Sequence, residues 1–118
     1  MDEQRLKIRI DHRAAVAMGP GKAQLLDALL RCGSISAAAK DLGMSYRRAW
    51  ELVDVMNRSF AEPLVATFPG GGKQGGAQVT ALGQHVLASY RALMEKVESA
   101  CGPELDAISR HLAPDDDS

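Results

Sequence analysis

Gly43 separates two segments of helical character. The first segment follows Ser34 and reads ISAAAKDL, and the second follows Ser45 and begins YRRAWELV. Serine favours the N-cap position of a helix, and glycine accepts the left-handed backbone that a tight turn needs. The sequence therefore predicts a helix-turn-helix, with Ala39 small enough for the two helices to cross closely.

The chain before this motif is predicted to hold a strand and a helix. Residues 5–11 alternate charged and apolar side chains, which is the period of a strand with one buried face. Residues 12–18 give no clear preference. After a Gly-Pro-Gly sequence at 19–21, a helix is predicted to end at Gly33. Its apolar side is formed by Leu25, Leu26, Leu29 and Leu30.

A glycine-rich stretch, PGGGKQGGA, follows the second helix of the motif and lies between the apolar runs LVATF and QVT. It is not a P-loop, because Thr67 stands where the first glycine is required and Gln74 where a Ser or Thr must follow Lys73. Two strands and this loop predict a β-hairpin wing, in which Lys73 contacts phosphate. A hairpin tip without function is the alternative.

A long helix is predicted after Thr80, a suitable cap, and the pair Gly102-Pro103 should break or bend it. Its apolar stripe exceeds what one small domain needs to bury, which favours a two-fold dimer interface. The stripe and the predicted dimerisation residues are Leu82, Val86, Tyr90, Leu93, Val97, Leu105, Ile108 and Leu112. The alternative is that the stripe only packs on the core of its own domain.

Charge is distributed unevenly along the chain, although the formal net charge is only −1. Residues 5–91 carry twelve basic and six acidic side chains, whereas residues 92–118 carry two basic and seven acidic ones. A basic body suits contact with a polyanion such as double-stranded DNA. The composition, 46% hydrophobic and 25% charged, is that of an ordinary globular protein.

The outward face of the second motif helix carries the side chains suited to reading bases. Ala49 and Val53 face inward, so that Tyr46, Arg47 and Trp50 project outward. Arginine binds guanine through two hydrogen bonds, and adjacent arginines point about 100° apart on a helix, so one is expected to reach bases and the other a phosphate. The alternative is a pair of solvated arginines, and Trp50 could equally be a packing residue. The residues predicted to contact DNA are Ser34, Ser36, Ser45, Tyr46, Arg47, Arg48, Trp50, Glu51, Lys73 and Gln74.

Other classes of protein find little support. The three histidines are far apart, Cys32 and Cys101 are isolated, and no nucleophile elbow or carboxylate pair is present, so no catalytic residue, metal site or cofactor is expected. The N-terminus has no signal-peptide pattern and no segment is apolar enough to span a membrane. We therefore expect a cytoplasmic protein that is not an enzyme.

The patterns SISxxAKDxGxSYxxAW at 34–50 and GGKxGG at 71–76 closely resemble the N-terminal domain of the ModE family of molybdate-responsive regulators. The resemblance runs from about Leu6 to Leu112. It implies a winged helix-turn-helix with a LysR-like motif, homodimeric on an inverted-repeat operator, that represses or activates transcription. In that family molybdate binds to C-terminal β-barrel domains, so molybdate binding is not expected in this chain.

The expected fold class is mainly α with a small β component: an N-terminal strand, a helix-turn-helix, a two-stranded wing and a long C-terminal helix. Residues 1–113 are expected to form one domain, and residues 114–118 an acidic, disordered tail. Two functions remain open. The first is a sequence-specific DNA-binding regulator, and the second is a winged-helix module that binds another protein.

Overall fold

A computed structural model describes residues 6–68 and 76–114. It contains five helices and two antiparallel hairpins in those ranges, which confirms the predicted winged helix-turn-helix class. The strands are β1 Ile10–His12, β2 Ala15–Met18, β3 Val65–Phe68 and β4 Gly76–Val79. The helices are α1 Pro20–Cys32, α2 Ile35–Leu42, α3 Tyr46–Ser59, α4 Ala81–Ala100 and α5 Gly102–Ser109.

The predicted helix boundaries are confirmed by the caps. Ser34 Oγ accepts a hydrogen bond from the Ala37 N–H at 3.0 Å, and Ser45 Oγ accepts one from the Arg48 N–H at 3.0 Å. Gly33 and Gly43 both adopt left-handed backbone, with φ of 81° and 71°. These two glycines end α1 and α2 and so set the directions in which α2 and α3 leave their turns.

The core lies where α1, α2 and α3 meet, and β2, the wing hairpin and α4 close it. Ala49, Val53 and Met56 are buried on the inner face of α3, as predicted, and Phe60 is half-buried against the core. Leu30 differs from the prediction. It is 47% exposed, because the apolar arc of α1 that faces the other helices ends at Leu29.

The N-terminal region differs from the sequence prediction. Residues 6–9 are not in a strand, and the strand β1 begins only at Ile10 and pairs with β2 in a tight hairpin. Arg13, at φ 58°, occupies the left-handed position of the turn. All of β1 is exposed, whereas Ala17 and Met18 in β2 are buried. The expected single N-terminal strand is thus the first arm of a hairpin.

The wing hairpin joins α3 to α4. Its register pairs Val65 with Val79 and Phe68 with Gly76, and the Ala77 N–H donates to the carbonyl of Gly33 at 3.0 Å. The hairpin is therefore attached to the turn between α1 and α2. The predicted DNA contacts Lys73 and Gln74 lie outside the described residues.

The chain leaves the core along α4 and turns into α5. Thr80 caps α4 by accepting a hydrogen bond from the Gly83 N–H at 3.0 Å, and the helix breaks between Ala100 and Gly102, both as predicted. None of the residues of α5 is buried. Within the described residues, α4 therefore connects the core to a helix that does not pack into it.

Candidate nucleic-acid interface

The helix α3 presents its most exposed side directly opposite the core. At about 100° of rotation per residue, Ala49, Val53 and Met56 define the buried direction. Arg47 and Glu51 then lie on the opposite side of the helix, and both are exposed. This outward side of the first two turns of α3 is called the recognition face below, and its arginine is exposed to solvent.

Two ion pairs run along the outer side of α3. Near its start, Arg47 Nε lies 3.3 Å from Glu51 Oε2, and in its last turns Arg58 Nε lies 3.0 Å from Asp54 Oδ2. The Arg47 side chain is 88% exposed. Exposed pairs of this kind contribute little to stability, typically less than about 1 kcal/mol, so the fold does not depend on them.

Two aromatic side chains flank the recognition face on one side. Tyr46 is 57% exposed and Trp50 is 47% exposed, although both are large and partly apolar. Trp50 is therefore not a core residue of this chain. Aromatic and hydroxyl groups in this position can pack against thymine methyl groups or contact phosphate.

Arg48 lies on the other flank, and it makes no ion pair with any residue that the structure describes. Partial burial, and after it the positive charge of Arg48, holds the pKa of the Lys22 ammonium in α1 below its ordinary value. Two cations that repel each other suit an anionic ligand such as phosphate.

Lys22 was missed by the sequence prediction, although a signal for it exists. Lys22 stands in the first turn of α1 and Arg48 in the first turn of α3, and neither turn contains an acidic residue. The positive end of a helix dipole disfavours cations at that place. Basic side chains in two adjacent N-terminal turns therefore indicate an external anion better than either one alone.

Residues 21–84, more than half of the chain, match the family model of bacterial regulatory helix-turn-helix proteins of the lysR family. The chain belongs to this LysR-type family. The match extends from the start of α1 into the first turns of α4, so it includes the whole helix-turn-helix and both strands of the wing.

Several curated proteins are similar to this chain, and some of them are named for molybdenum. The chain is 39% identical over 106 residues to the molybdenum transport protein ModE of Azotobacter vinelandii, covering 90% of this chain and 38% of that protein. It is 44% identical over 81 residues to the molybdenum-pterin-binding protein MopB of Rhodobacter capsulatus, covering 69% and 30%. The DNA-binding transcriptional dual regulator ModE of Escherichia coli K12 is 37% identical over 81 residues, covering 69% and 31%.

These relatives confirm the resemblance to ModE that the sequence motifs indicated. The chain spans less than two fifths of the length of the three relatives named above. The similarity to them therefore concerns only a part of each relative.

The serines predicted to contact DNA occupy the helix starts of the LysR-type motif. Ser34 and Ser45 use their oxygens as caps, which leaves each hydroxyl hydrogen free to donate to a phosphate. Ser36 is exposed on α2. The structure brings these serines to the same two turns that carry Gly33 and Gly43, while their contact with DNA stays a prediction.

The predicted dimerisation residues fall into two groups. Tyr90 is buried on the core of its own chain, where its hydroxyl donates to the Ile8 carbonyl, and Leu82 and Val86 pack partly against the same core. The other residues lie farther along the chain and are half-buried or exposed. They are Leu93, Val97, Leu105, Ile108 and Leu112. An apolar groove of about 260 Å³ runs beside Leu93 and Val86 and is lined also by Ile10 and Phe60.

Within residues 6–68 and 76–114, no group of three or more histidine, cysteine or acidic side chains is arranged to hold a metal ion. No helix in the same ranges is long and apolar enough to cross a membrane. Cys32 and Cys101 are free thiols and are half-buried.

Proposed function

We propose that this chain is a sequence-specific DNA-binding transcription regulator of the ModE type. Its recognition face enters the major groove, where Arg47 reads bases, while Arg48 and Lys22 contact phosphates on the flank. The observation that carries the proposal is the outward placement of Arg47 on the second helix of a LysR-type helix-turn-helix. In such motifs the N-terminal residues of the second helix contact base edges.

The biological setting is proposed from the relatives. One relative is named a molybdenum transport protein and another a DNA-binding transcriptional regulator, and both are called ModE. These names suggest that the target genes concern molybdenum. We further propose a homodimer on an inverted-repeat operator, in which the exposed part of the apolar stripe on α4 and α5 pairs the subunits. A regulator of this kind acts on the chromosome, which places it in the bacterial cytoplasm.

The test is selection of bound fragments from genomic DNA, followed by affinity measurements on the selected duplex and on an unrelated duplex over a series of salt concentrations. We expect the selected duplex to bind at least a thousandfold more tightly, and both affinities to fall steeply with salt. Arg47→Ala should relax base preference by about 1–3 kcal/mol at one position. Lys96→Ala, which removes an exposed cation from α4, serves as the matched control and should not change that preference.

The second candidate is a module that binds another protein through the exposed aromatic pair Tyr46 and Trp50. It predicts weak DNA binding with no base preference, and binding of a partner that is lost in Trp50→Ala. Equal affinity for all duplexes would exclude the regulator and favour this candidate.

A further inference from the structure

We propose that Glu51 is a positioning residue for base recognition: its carboxylate holds the guanidinium of Arg47 so that the two terminal nitrogens face a guanine. The inference rests on the proposed DNA-binding function and deepens it. It assigns the specificity of the recognition face to a pair of residues rather than to Arg47 alone.

The geometry of the pair leaves the reading end of the arginine free. Glu51 Oε2 accepts the hydrogen bond from Arg47 Nε at 3.3 Å. A guanidinium has five N–H donors, and guanine O6 and N7 need two of them from the same side. Because the carboxylate takes the Nε–H, the donors on the two terminal nitrogens of Arg47 stay available, and no other described residue bonds to them.

Helix stability does not explain this pair. A cation near the N-terminus of a helix is disfavoured by the helix dipole, and an acid-before-base order is better than the reverse. Arg47 stands in the first turn of α3 and precedes its acid, so the pair has the less favourable order. Asp54 and Arg58 have the favourable order, with the arginine in the last turn. Of the two pairs, only the second has the order and position that the helix itself favours.

A restrained arginine also binds with a smaller loss of freedom. An arginine that is 88% exposed loses most of its rotamer freedom when it contacts a base, and a partner that already limits its conformations reduces that loss. The carboxylate carries a cost as well, because it repels DNA phosphates. Glu51 should thus lower affinity for every duplex while raising the preference for the guanine that Arg47 reads.

The experiment uses the full chain and a duplex obtained by selection with it. Each base pair is replaced in turn, and the position at which Arg47→Ala abolishes preference identifies the guanine. In Glu51→Ala, we expect preference at that position to fall roughly three- to tenfold, while affinity for an unrelated duplex rises. Glu51→Gln should retain most of the preference, because its amide oxygen still accepts the Nε–H.

Asp54→Ala is the matched control, since it removes the acid of the other exposed pair on the same side of α3. It should raise affinity for all duplexes to a similar degree and leave base preference unchanged. A loss of preference in Asp54→Ala equal to that in Glu51→Ala would overturn the proposal, because a general charge effect would then explain both.

The double variant separates positioning from direct reading. If Glu51 acts through Arg47, adding Glu51→Ala to Arg47→Ala causes no further loss of preference. A further loss of equal size would show that Glu51 contacts a base itself, and unchanged preference in the single variant would show that it has no role; either result overturns the inference. Absence of any base preference in the unmodified chain would instead remove the proposed function on which it rests.

Discussion

The side-chain amide of Asn57 pairs with both backbone groups of Val65. Asn57 Nδ2 donates to the Val65 carbonyl oxygen at 2.9 Å, and Asn57 Oδ1 accepts the Val65 N–H at 3.1 Å and the Leu64 N–H at 2.9 Å. The amide thus takes the place of a neighbouring strand at the base of the wing. It fixes the C-terminal half of α3 against β3.

Asn57→Ala should lower the free energy of unfolding by about 1–3 kcal/mol, because Leu64 is fully buried and its N–H would lose its partner. Urea denaturation measures the change. Gln78→Ala, at an exposed position of β4, is the control and should stay within about 0.5 kcal/mol. Equal stability of the two variants would show that the wing does not depend on this amide.

Gly83→Ala should destabilise the protein, although alanine is the better helix former. An added Cβ would collide with the Leu64 carbonyl oxygen and lie 2.7 Å from Val79 Cγ1. We expect a loss of about 1–3 kcal/mol in thermal or urea unfolding. Gly21→Ala is the matched comparison, since a Cβ there meets no atom within 4 Å, and it should stabilise by roughly 0.4–1 kcal/mol. The same sign for both variants would contradict the close approach of α4 to Leu64 and β4.

Tyr90→Phe should change how stability depends on alkaline pH. Burial raises the pKa of the Tyr90 phenol above its ordinary value of about 10. Above that pH the folded state retains the proton that the unfolded state releases, so stability falls as pH rises. Tyr90→Phe should remove this part of the fall and also cost about 0.5–1.5 kcal/mol at neutral pH through loss of the bond to Ile8.

Absorbance titration gives the direct measurement for Tyr90. The chain has two tyrosines, so Tyr46→Phe leaves Tyr90 as the only phenol that reports. A phenol that ionises at the ordinary pKa in this variant would show that Tyr90 is open to solvent.

Lys22→Met tests the phosphate contact on the flank of α3. Affinity should fall evenly for all duplexes, and the slope of log K against log salt should become shallower by about 0.9. The free protein should not lose stability. Burial and the charge of Arg48 lower the Lys22 pKa, so the charged ammonium destabilises the folded state at neutral pH. This destabilisation decreases only as the pH rises above that pKa. A base-dependent loss, or an unchanged salt slope, would argue against phosphate contact.

Local signals predicted the elements around the helix-turn-helix well. Ser34, Ser45 and Thr80 are caps, and Gly33 and Gly43 are left-handed, as their types suggest. Each of these features depends on a few neighbouring residues and on backbone conformations that few side chains adopt. These caps and turns can therefore be predicted from the local sequence alone.

Tertiary contacts account for what was missed. The alternation of charged and apolar residues at 5–11 is typical of a strand, but the Ile8 carbonyl accepts a hydrogen bond from the hydroxyl of Tyr90, 82 residues away. Sequence periodicity cannot predict such a long-range hydrogen bond. The turn between β1 and β2 places Arg13 in a left-handed conformation that glycine or asparagine usually adopts. The basic first turns of α1 and α3 are visible in the sequence, but the effect of the Arg48 charge on Lys22 depends on the packing of α1 and α3.

The helix α5 has eight residues and none of them is buried. A peptide of that length scarcely holds a helix in water, since too few hydrogen bonds follow the costly first turn. Its ordered population should then depend on mass action: if a second subunit covers Leu105 and Ile108, dilution below the dissociation constant should melt α5 while the helix-turn-helix stays intact. Amide hydrogen exchange at two protein concentrations would show whether the helical order of α5 depends on contact with a second molecule.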